Sequence, residues 1–268
     1  MQDQQKYLAE QYQTDSNLSA RIRLHQRFSV NPHGWHRWIF DQFSLPPKCS
    51  ILELGCGSGD LWFENRDRIP EGWEMILTDF SAGMLQRAQS RLIGVYPFQY
   101  ELLDAGSIPY RFKSRSFDAV IANHMLYHLT DRKGPFSEIG RILKPGGLLY
   151  ATTIGKKHLH ELSELLIRFD PELRSWGSVA NTFTLENGRE QLSEWFSEVE
   201  RRRYPDGLKV TEDTPLVEYV LSGWVETRMP KEKVKEFTGY VEQALENAGG
   251  EIYITKDSGI FVAAQAQE

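Results

Sequence analysis

The sequence predicts a doubly wound α/β protein built on a mostly parallel sheet. Short aliphatic runs of strand length recur between residues 51 and 153, helical apolar patterns lie between them, and the first run ends in a loop with glycine at alternate positions. Strands of a parallel sheet are covered on both faces, so they read as continuous apolar runs rather than alternating ones. Strand–helix alternation with short connections is the pattern such a sheet requires.

Residues 1–45 read as helices that form an N-terminal lid. Leu18 and Ile22 stand four apart, Asn31-Pro32-His33-Gly34 interrupts the pattern, and Trp35, Trp38, Ile39 and Phe43 resume it. Pro46-Pro47 then opens a core over residues 46–153, with strands expected at Ile51–Leu54, Met75–Thr78, Tyr100–Leu103, Asp118–Ala122 and Leu148–Thr153. Met84, Leu85, Ala88 and Leu92 mark the inner face of one helix, and Phe136, Ile139 and Ile142 that of another. Lys144-Pro145-Gly146-Gly147 reads as a turn into the fifth strand.

Residues 154–230 read as an inserted cap and a sixth strand. Leu159, Leu162, Leu165, Leu166 and Phe169 make one amphipathic helix that Pro171 ends, a second helix is expected over Leu185–Phe196, and a strand over Glu198–Tyr204. Thr214-Pro215 has the form of a helix start. In residues 231–268, Val234, Phe237, Val241 and Leu245 mark the last helix, Gly249-Gly250 stops it, and Glu251–Thr255 with Gly259–Ala264 reads as a closing hairpin or strand pair. All four segments are expected to belong to one domain.

Composition bounds the function. The 268 residues carry 31 Lys+Arg against 37 Asp+Glu, a net charge of −6, with 40% apolar and 12% aromatic residues, too apolar a profile for global disorder. No apolar run reaches the ~20 residues of a membrane helix. The N-terminus lacks the basic-then-apolar signature of a secretory signal, so a cytoplasmic location is expected. Cys49 and Cys56 are too few for a disulfide framework and have no partner motif for nucleophilic chemistry. Net acidity argues against a DNA binder. Locally, Arg21–Phe40 holds no Asp or Glu while Arg21, Arg23, Arg27 and Arg37 join His25, His33 and His36. That stretch is either a solvated helix face or a pocket wall that attracts an anion.

The most informative segment is Ile51-Leu52-Glu53-Leu54-Gly55-Cys56-Gly57-Ser58-Gly59-Asp60. Glycines there permit positive φ and let a ligand approach the backbone, at the strand end where open α/β sheets bind ligands. A dinucleotide fingerprint needs glycine where Asp60 stands, and the phosphate-loop pattern is absent. Glu53 and Asp60 flank the loop with negative charge and so suit a ligand that carries positive charge. Asp79 ends the second strand, where a carboxylate can accept from both hydroxyls of a ribose. Asp104 ends the third, within reach of an adenine amino group.

ELGCGSGD, LTDFSAGML, LLDAGSIPY, FDAVIANHMLYHL and LKPGGLLYATT, in that order over roughly Lys48–Thr153, resemble the class I S-adenosylmethionine-dependent methyltransferases, closest to the small-molecule branch. The resemblance implies a Rossmann-like sheet of seven strands with the last antiparallel, and S-adenosylmethionine as cofactor. It further implies that Glu53, Gly55, Cys56, Gly57 and Gly59 line the methionine moiety and Asp79 holds the ribose. Phe80 and Met84 would flank the adenine, Asp104 and Ala105 border its edge, and Asn123 and His124 close the site. Past Thr153 no motif transfers.

Methyl transfer from a sulfonium is an in-line displacement in which alignment supplies much of the rate; a base is needed only where the nucleophile arrives protonated. His124 follows the fourth strand, and His128 shares its face if the stretch is helical; both are base candidates. As a zinc pair the two lack a third ligand, so no metal is expected. Class I enzymes acting on nucleic-acid bases typically carry Asn/Asp-Pro-Pro-Tyr where this chain has Asn123-His124-Met125-Leu126, which disfavours DNA. Tyr12, Arg27, Trp35 and His36 are the candidate substrate residues, and Trp176, Phe183, Tyr219 and Trp224 a candidate aromatic wall in the cap. The expected activity is methyl transfer to an O or N nucleophile of a small molecule, with no membrane partner. A protein, peptide or RNA acceptor is the alternative, and a non-catalytic cofactor-binding module the second.

Overall fold

A computed structural model describes residues 23–175, 182–222 and 229–265. Leu18, Ile22, Arg21, Tyr12, Trp176 and Trp224 lie outside the described residues. Seven strands form one sheet: β1 (Lys48–Leu54), β2 (Gly72–Asp79), β3 (Gln99–Leu102), β4 (Phe117–Asn123), β5 (Leu143–Ile154), β6 (Glu198–Val210) and β7 (Ile252–Ala264), in the order β3-β2-β1-β4-β5-β7-β6. β1 pairs in parallel with β2 and β4, β2 with β3, and β4 with β5, whereas β7 runs antiparallel to β5. The order reverses between β1 and β4, so the ends of these two strands flank a topological switch point.

The described chain divides into two compact units. The sheet unit comprises residues 33–156, 182–204 and 258–265, and the helical unit residues 23–32, 157–175, 205–222 and 229–257.

In the sheet unit, alternate residues of the central strands feed two cores. Leu52, Leu54, Val120, Ala122, Leu149 and Ala151 join one, which includes Phe136, Ile139 and Ile142 of α4 (Lys133–Ile142). Ile51, Ala119, Ile121 and Tyr150 join the other. That second core takes Ile39 and Phe40 of α1 (Trp35–Asp41), Leu61 and Trp62 of α2 (Asp60–Glu64), and Leu85 and Ala88 of α3 (Ala82–Arg91). α3 starts at Ser81, whose Oγ accepts from the Met84 N–H, an N-cap worth about 1 kcal/mol.

The helical unit buries α5 (His160–Phe169), α7 (Asp213–Val220) and α8 (Lys231–Asn247) around its own cluster of Leu162, Leu166, Leu216, Val220, Phe237 and Val241. The helix expected at Thr214-Pro215 starts there as α7, and Gly249 and Gly250, at φ 77° and 90°, end α8.

Three sequence expectations change. The closing segment is a single strand, not a hairpin or strand pair, and within it a Cβ on Gly259 would lie 2.4 Å from the Arg202 carbonyl oxygen, so this glycine permits close approach. Lys144–Gly147 falls inside β5, where the register with β4 shifts between Phe117 and Ala119. The helix expected over Leu185–Phe196 shortens to α6 (Gly188–Ser193). Ahead of it, the Asn187 carboxamide oxygen accepts from the Thr184 N–H at 2.7 Å, a local turn that competes with helix.

Candidate active site

β1 ends in the glycine loop, and Gly55, Gly57 and Gly59 all take left-handed φ values of 71°, 56° and 77°. Space and conformation are separate demands here. A Cβ on Gly59 would lie 2.8 Å from Leu92 and one on Gly55 3.1 Å from Met125, whereas one on Gly57 meets nothing within 4 Å. Gly57 therefore faces open space, as a backbone that receives a ligand should.

Asp79, at the end of β2 and 5% exposed, organises this loop. Its Oδ2 accepts from the Gly57 N–H at 3.0 Å and its Oδ1 from the Ser81 N–H at 2.8 Å. Burial pushes this carboxyl up, against the backbone N–H groups of Ser81, Gly57 and Phe80 that favour the ion. Each oxygen retains a lone pair for an external hydroxyl.

Glu53 lies lower, 2% exposed, accepting from the Trp62 Nε1–H at 2.6 Å and the Asn123 Nδ2–H at 3.2 Å. Burial pushes its carboxyl up to about 7, while Trp62 and Asn123 oppose that rise. Asp60 is committed elsewhere. Its carboxylate pairs with Arg91 at 2.8 Å and accepts from Ser58 Oγ at 2.5 Å, so the negative charge the sequence placed beside a cationic ligand is largely neutralised.

The remaining candidates separate by exposure. Phe80 is 41% exposed, whereas Met84, Ala105 and Cys56 are buried. Asp104 accepts from the Gly106 N–H and the Ser107 hydroxyl, closing a local turn beside Ala105, whose carbonyl accepts from the buried Tyr110 hydroxyl at 2.7 Å. Burial raises both thiols, Cys49 to about 12, so neither supplies a thiolate.

Beyond β4 the condition for a shared histidine face, an α-helix, is not met. His124 takes φ 49°, and Leu126–His128 make a single 3-10 turn, so His124 and His128 do not share a helical face. His124 instead faces Trp35, with ring centroids 5.1 Å apart, and His128 packs on Tyr127 at 4.5 Å. Trp35 also stacks on Trp38 at 5.4 Å and meets Tyr204 edge-on at 5.1 Å.

Among the described residues, the basic side chains of this stretch face acids, most of them remote in sequence. Arg23 and Arg27 pair with Glu218 and Glu212 in the helical unit, and His33, His36 and Arg37 face Asp41, Glu64 and Asp67 in the sheet unit. Of the substrate candidates, Trp35 reaches His124, His36 turns to Glu64 at 3.1 Å, and Arg27 is held by Glu212 at 2.6 Å. The acid-free run is thus no net anion trap, because those carboxylates return the charge.

Two contributors escaped the sequence reading. Trp62 is the donor to Glu53, and Thr152, fully buried in β5, accepts from the His124 N–H at 3.0 Å. A pair of threonines inside the aliphatic run Leu148–Ile154 was the available signal for the second. Among the described residues, no group of three or more His, Cys, Asp or Glu is arranged to hold a metal ion, and no helix is long and apolar enough to cross a membrane.

Residues 52–151 match the family model described as a methyltransferase domain. Among curated proteins, the chain is 31% identical over 128 residues to the ubiquinone/menaquinone biosynthesis C-methyltransferase of Xanthomonas oryzae pv. oryzae, covering 46% of this chain and 50% of that protein. It is 31% identical over 129 residues to the demethylmenaquinone methyltransferase of Lactiplantibacillus plantarum, covering 47% and 54%. The chain therefore spans about half the length of the curated relatives it matches. Among solved structures, a putative methyltransferase from Bacillus halodurans aligns with a TM-score of 0.58 at 13% identity, covering 87% of this chain and 99% of that one. Phosphoethanolamine N-methyltransferase 2 of Haemonchus contortus, in complex with phosphomonomethylethanolamine and S-adenosylhomocysteine, aligns at 0.56 and 21% identity, covering 95% and 58%. These alignments share the fold of the sheet described above.

Proposed function

We propose that this chain, whose residues 52–151 match a methyltransferase domain model, is a class I S-adenosylmethionine-dependent methyltransferase of a small molecule. The observation that carries the reading is the glycine loop tied to Asp79: three left-handed glycines, open space at Gly57, and a buried carboxylate at the end of β2. These residues fit the cofactor. Asp79 would hold the ribose hydroxyls with its remaining lone pairs, and the exposed Phe80 would cover the adenine. The Gly55–Gly59 backbone would receive the methionine portion above the buried Glu53. When bound, the cofactor supplies an electrophilic methyl group on a sulfonium sulfur.

The protein's share of the work is alignment and proton handling. Loop backbone and Asp79 fix one partner of the displacement, and orientation of this kind is worth ~7–11 kcal/mol of barrier. His124, at the end of β4 beside Trp35, would take a proton from a hydroxylated acceptor as the acceptor's nucleophilic atom attacks. Carbon is the favoured acceptor atom, because the curated relatives include enzymes named as C-methyltransferases of quinone biosynthesis. In a hydroxylated ring, loss of the hydroxyl proton to His124 raises electron density at the ring carbon; once methylated, that carbon gives up its own ring proton to solvent, and the protonated His124 returns the hydroxyl proton. Attack through oxygen or nitrogen, the expectation from sequence, is the second outcome of the same experiment.

Calorimetry with S-adenosylhomocysteine and, separately, NAD tests the cofactor. Binding of the first alone, lost in Asp79→Ala, supports the reading; no binding by folded protein overturns it. Transfer from methyl-13C cofactor to hydroxylated ring acceptors then identifies the atom, since carbon-, oxygen- and nitrogen-bound methyl groups differ in chemical shift.

A further inference from the structure

His124 is held in its left-handed conformation by an ordered chain of hydrogen bonds. Its N–H donates to Thr152 Oγ1 at 3.0 Å and to the Thr152 carbonyl at 3.3 Å. The Thr152 hydroxyl donates to Asn123 Oδ1 at 3.3 Å, the Asn123 Nδ2–H donates to Glu53 Oε1 at 3.2 Å, and Trp62 Nε1–H reaches Glu53 Oε2 at 2.6 Å. Every donor in the series points toward Glu53, whose two oxygens both accept. Thr152, Glu53 and Trp62 are all buried, so water does not compete for these groups.

The β4–β5 register sets Asn123 opposite Thr152, which places the hydroxyl between the two residues it joins. A side chain at φ 49° is disfavoured by its own Cβ and persists only where neighbours impose it. Met125, next in the chain, packs where a Cβ on Gly55 would stand, so the segment carrying His124 rests directly on the glycine loop.

We infer that Thr152 is a positioning residue for methyl transfer, its hydroxyl holding His124 against Trp35 and tying it through Asn123 and Glu53 to the glycine loop. The inference rests on the methyltransferase reading above. Valine at 152 keeps the β-branched shape and removes the hydroxyl. The His124 N–H is then left with the longer carbonyl contact, and Asn123 Oδ1 loses its donor.

The test uses the full chain with 13C-labelled histidine, the His124 signal being assigned by its loss in His124→Gln and that of Trp35 by its loss in Trp35→Phe. Thr152→Ser is expected to keep the His124–Trp35 cross-peak and the His124 titration midpoint. Thr152→Val is expected to lose the cross-peak and shift the midpoint, while its remaining spectrum stays that of folded protein. A valine variant with both features unchanged, or a serine variant lacking the cross-peak, overturns the inference. Should the valine variant not fold, Thr152→Ala is compared with Thr152→Ser: a difference supports the role, and identical behaviour overturns it. Calorimetry with S-adenosylhomocysteine on wild-type samples separates the two readings. Absent binding with the expected response at 152 overturns the methyltransferase, and binding without that response overturns the positioning role alone.

Discussion

Glu53 and Asp79 end adjacent parallel strands yet answer different physical demands. Glu53 is wholly surrounded by protein, and that burial pushes its carboxyl up from 4.5 to about 7, with the Asp79 charge adding to the rise and Trp62, Asn123 and His36 opposing it. A carboxyl that binds its proton more tightly when folded makes stability fall as pH rises from about 4.5 through about 7. The difference in urea stability between wild type and Glu53→Gln should therefore change across that window by up to about 3 kcal/mol, wild type losing ground toward pH 8. Equal pH slopes for the two proteins would overturn this account of Glu53. Asp79 acts through both oxygens on two backbone N–H groups. An amide has a donor where one of those acceptors stands, so Asp79→Asn should weaken S-adenosylhomocysteine about 10- to 100-fold by calorimetry, the ~1.5–3 kcal/mol of a charge-assisted hydrogen bond. Both acids were legible in the sequence, because Glu53 stands two residues before the first loop glycine and Asp79 ends the next aliphatic run. The partners of Thr152 were not: two threonines inside an aliphatic run mark a polar demand, but the pairing register that sets Asn123 opposite Thr152 is recorded by no local pattern.

At the scale of elements, the loop and the helices around it constrain one another. Gly59 is the N-cap of α2 at φ 77°, and its absent Cβ would sit 2.8 Å from Leu92 at the end of α3. Gly59→Ala should cost about 1–2 kcal/mol for left-handed backbone, plus about 1–3 kcal/mol for crowding Leu92. Urea unfolding measures the sum, and a loss under 1 kcal/mol would mean that the loop relaxes without resistance. Spacing alone located this loop and the strands before and after it. It misread the other end of the sheet, where Glu251–Thr255 and Gly259–Ala264 looked like two strands and are one, with Gly259 the place where the backbone of β7 passes close to that of β6. Likewise the three glycine and proline residues of Lys144–Gly147 looked like a stop, yet β5 carries them as an irregularity in its pairing. Of the two readings of the acid-free stretch Arg21–Phe40, the anion-attracting wall fails for a related reason. Its charge is balanced by Glu212, Glu218, Asp41, Glu64 and Asp67, and all but one of these lie well beyond it in sequence.

At the scale of the molecule, two compact units have separate cores, and only the sheet unit carries the motifs that sequence could read. The helical unit has its own signature polar contact. The Lys256 ammonium pairs with the Asp206 carboxylate, the two side chains being 9% and 0% exposed. Asp206 also accepts from the Ser29 hydroxyl at 2.6 Å and from the backbone N–H groups of Val30, Asn31 and Gly207. Burial alone would raise this carboxyl, yet Lys256 and Ser29 hold it below the ordinary 3.8. Its contribution is therefore present above pH 3.8 and is lost as pH falls through the lower folded-state value. Asp206→Asn removes the carboxylate charge from this buried pair, a change that costs about 3–5 kcal/mol. The variant should unfold at lower urea than wild type at pH 7, and the gap should narrow in acid, where wild type also loses the ionised pair. A gap that stays constant down to the lowest pH at which the protein folds would mean that Asp206 acts through its neutral hydrogen bonds, not through its charge.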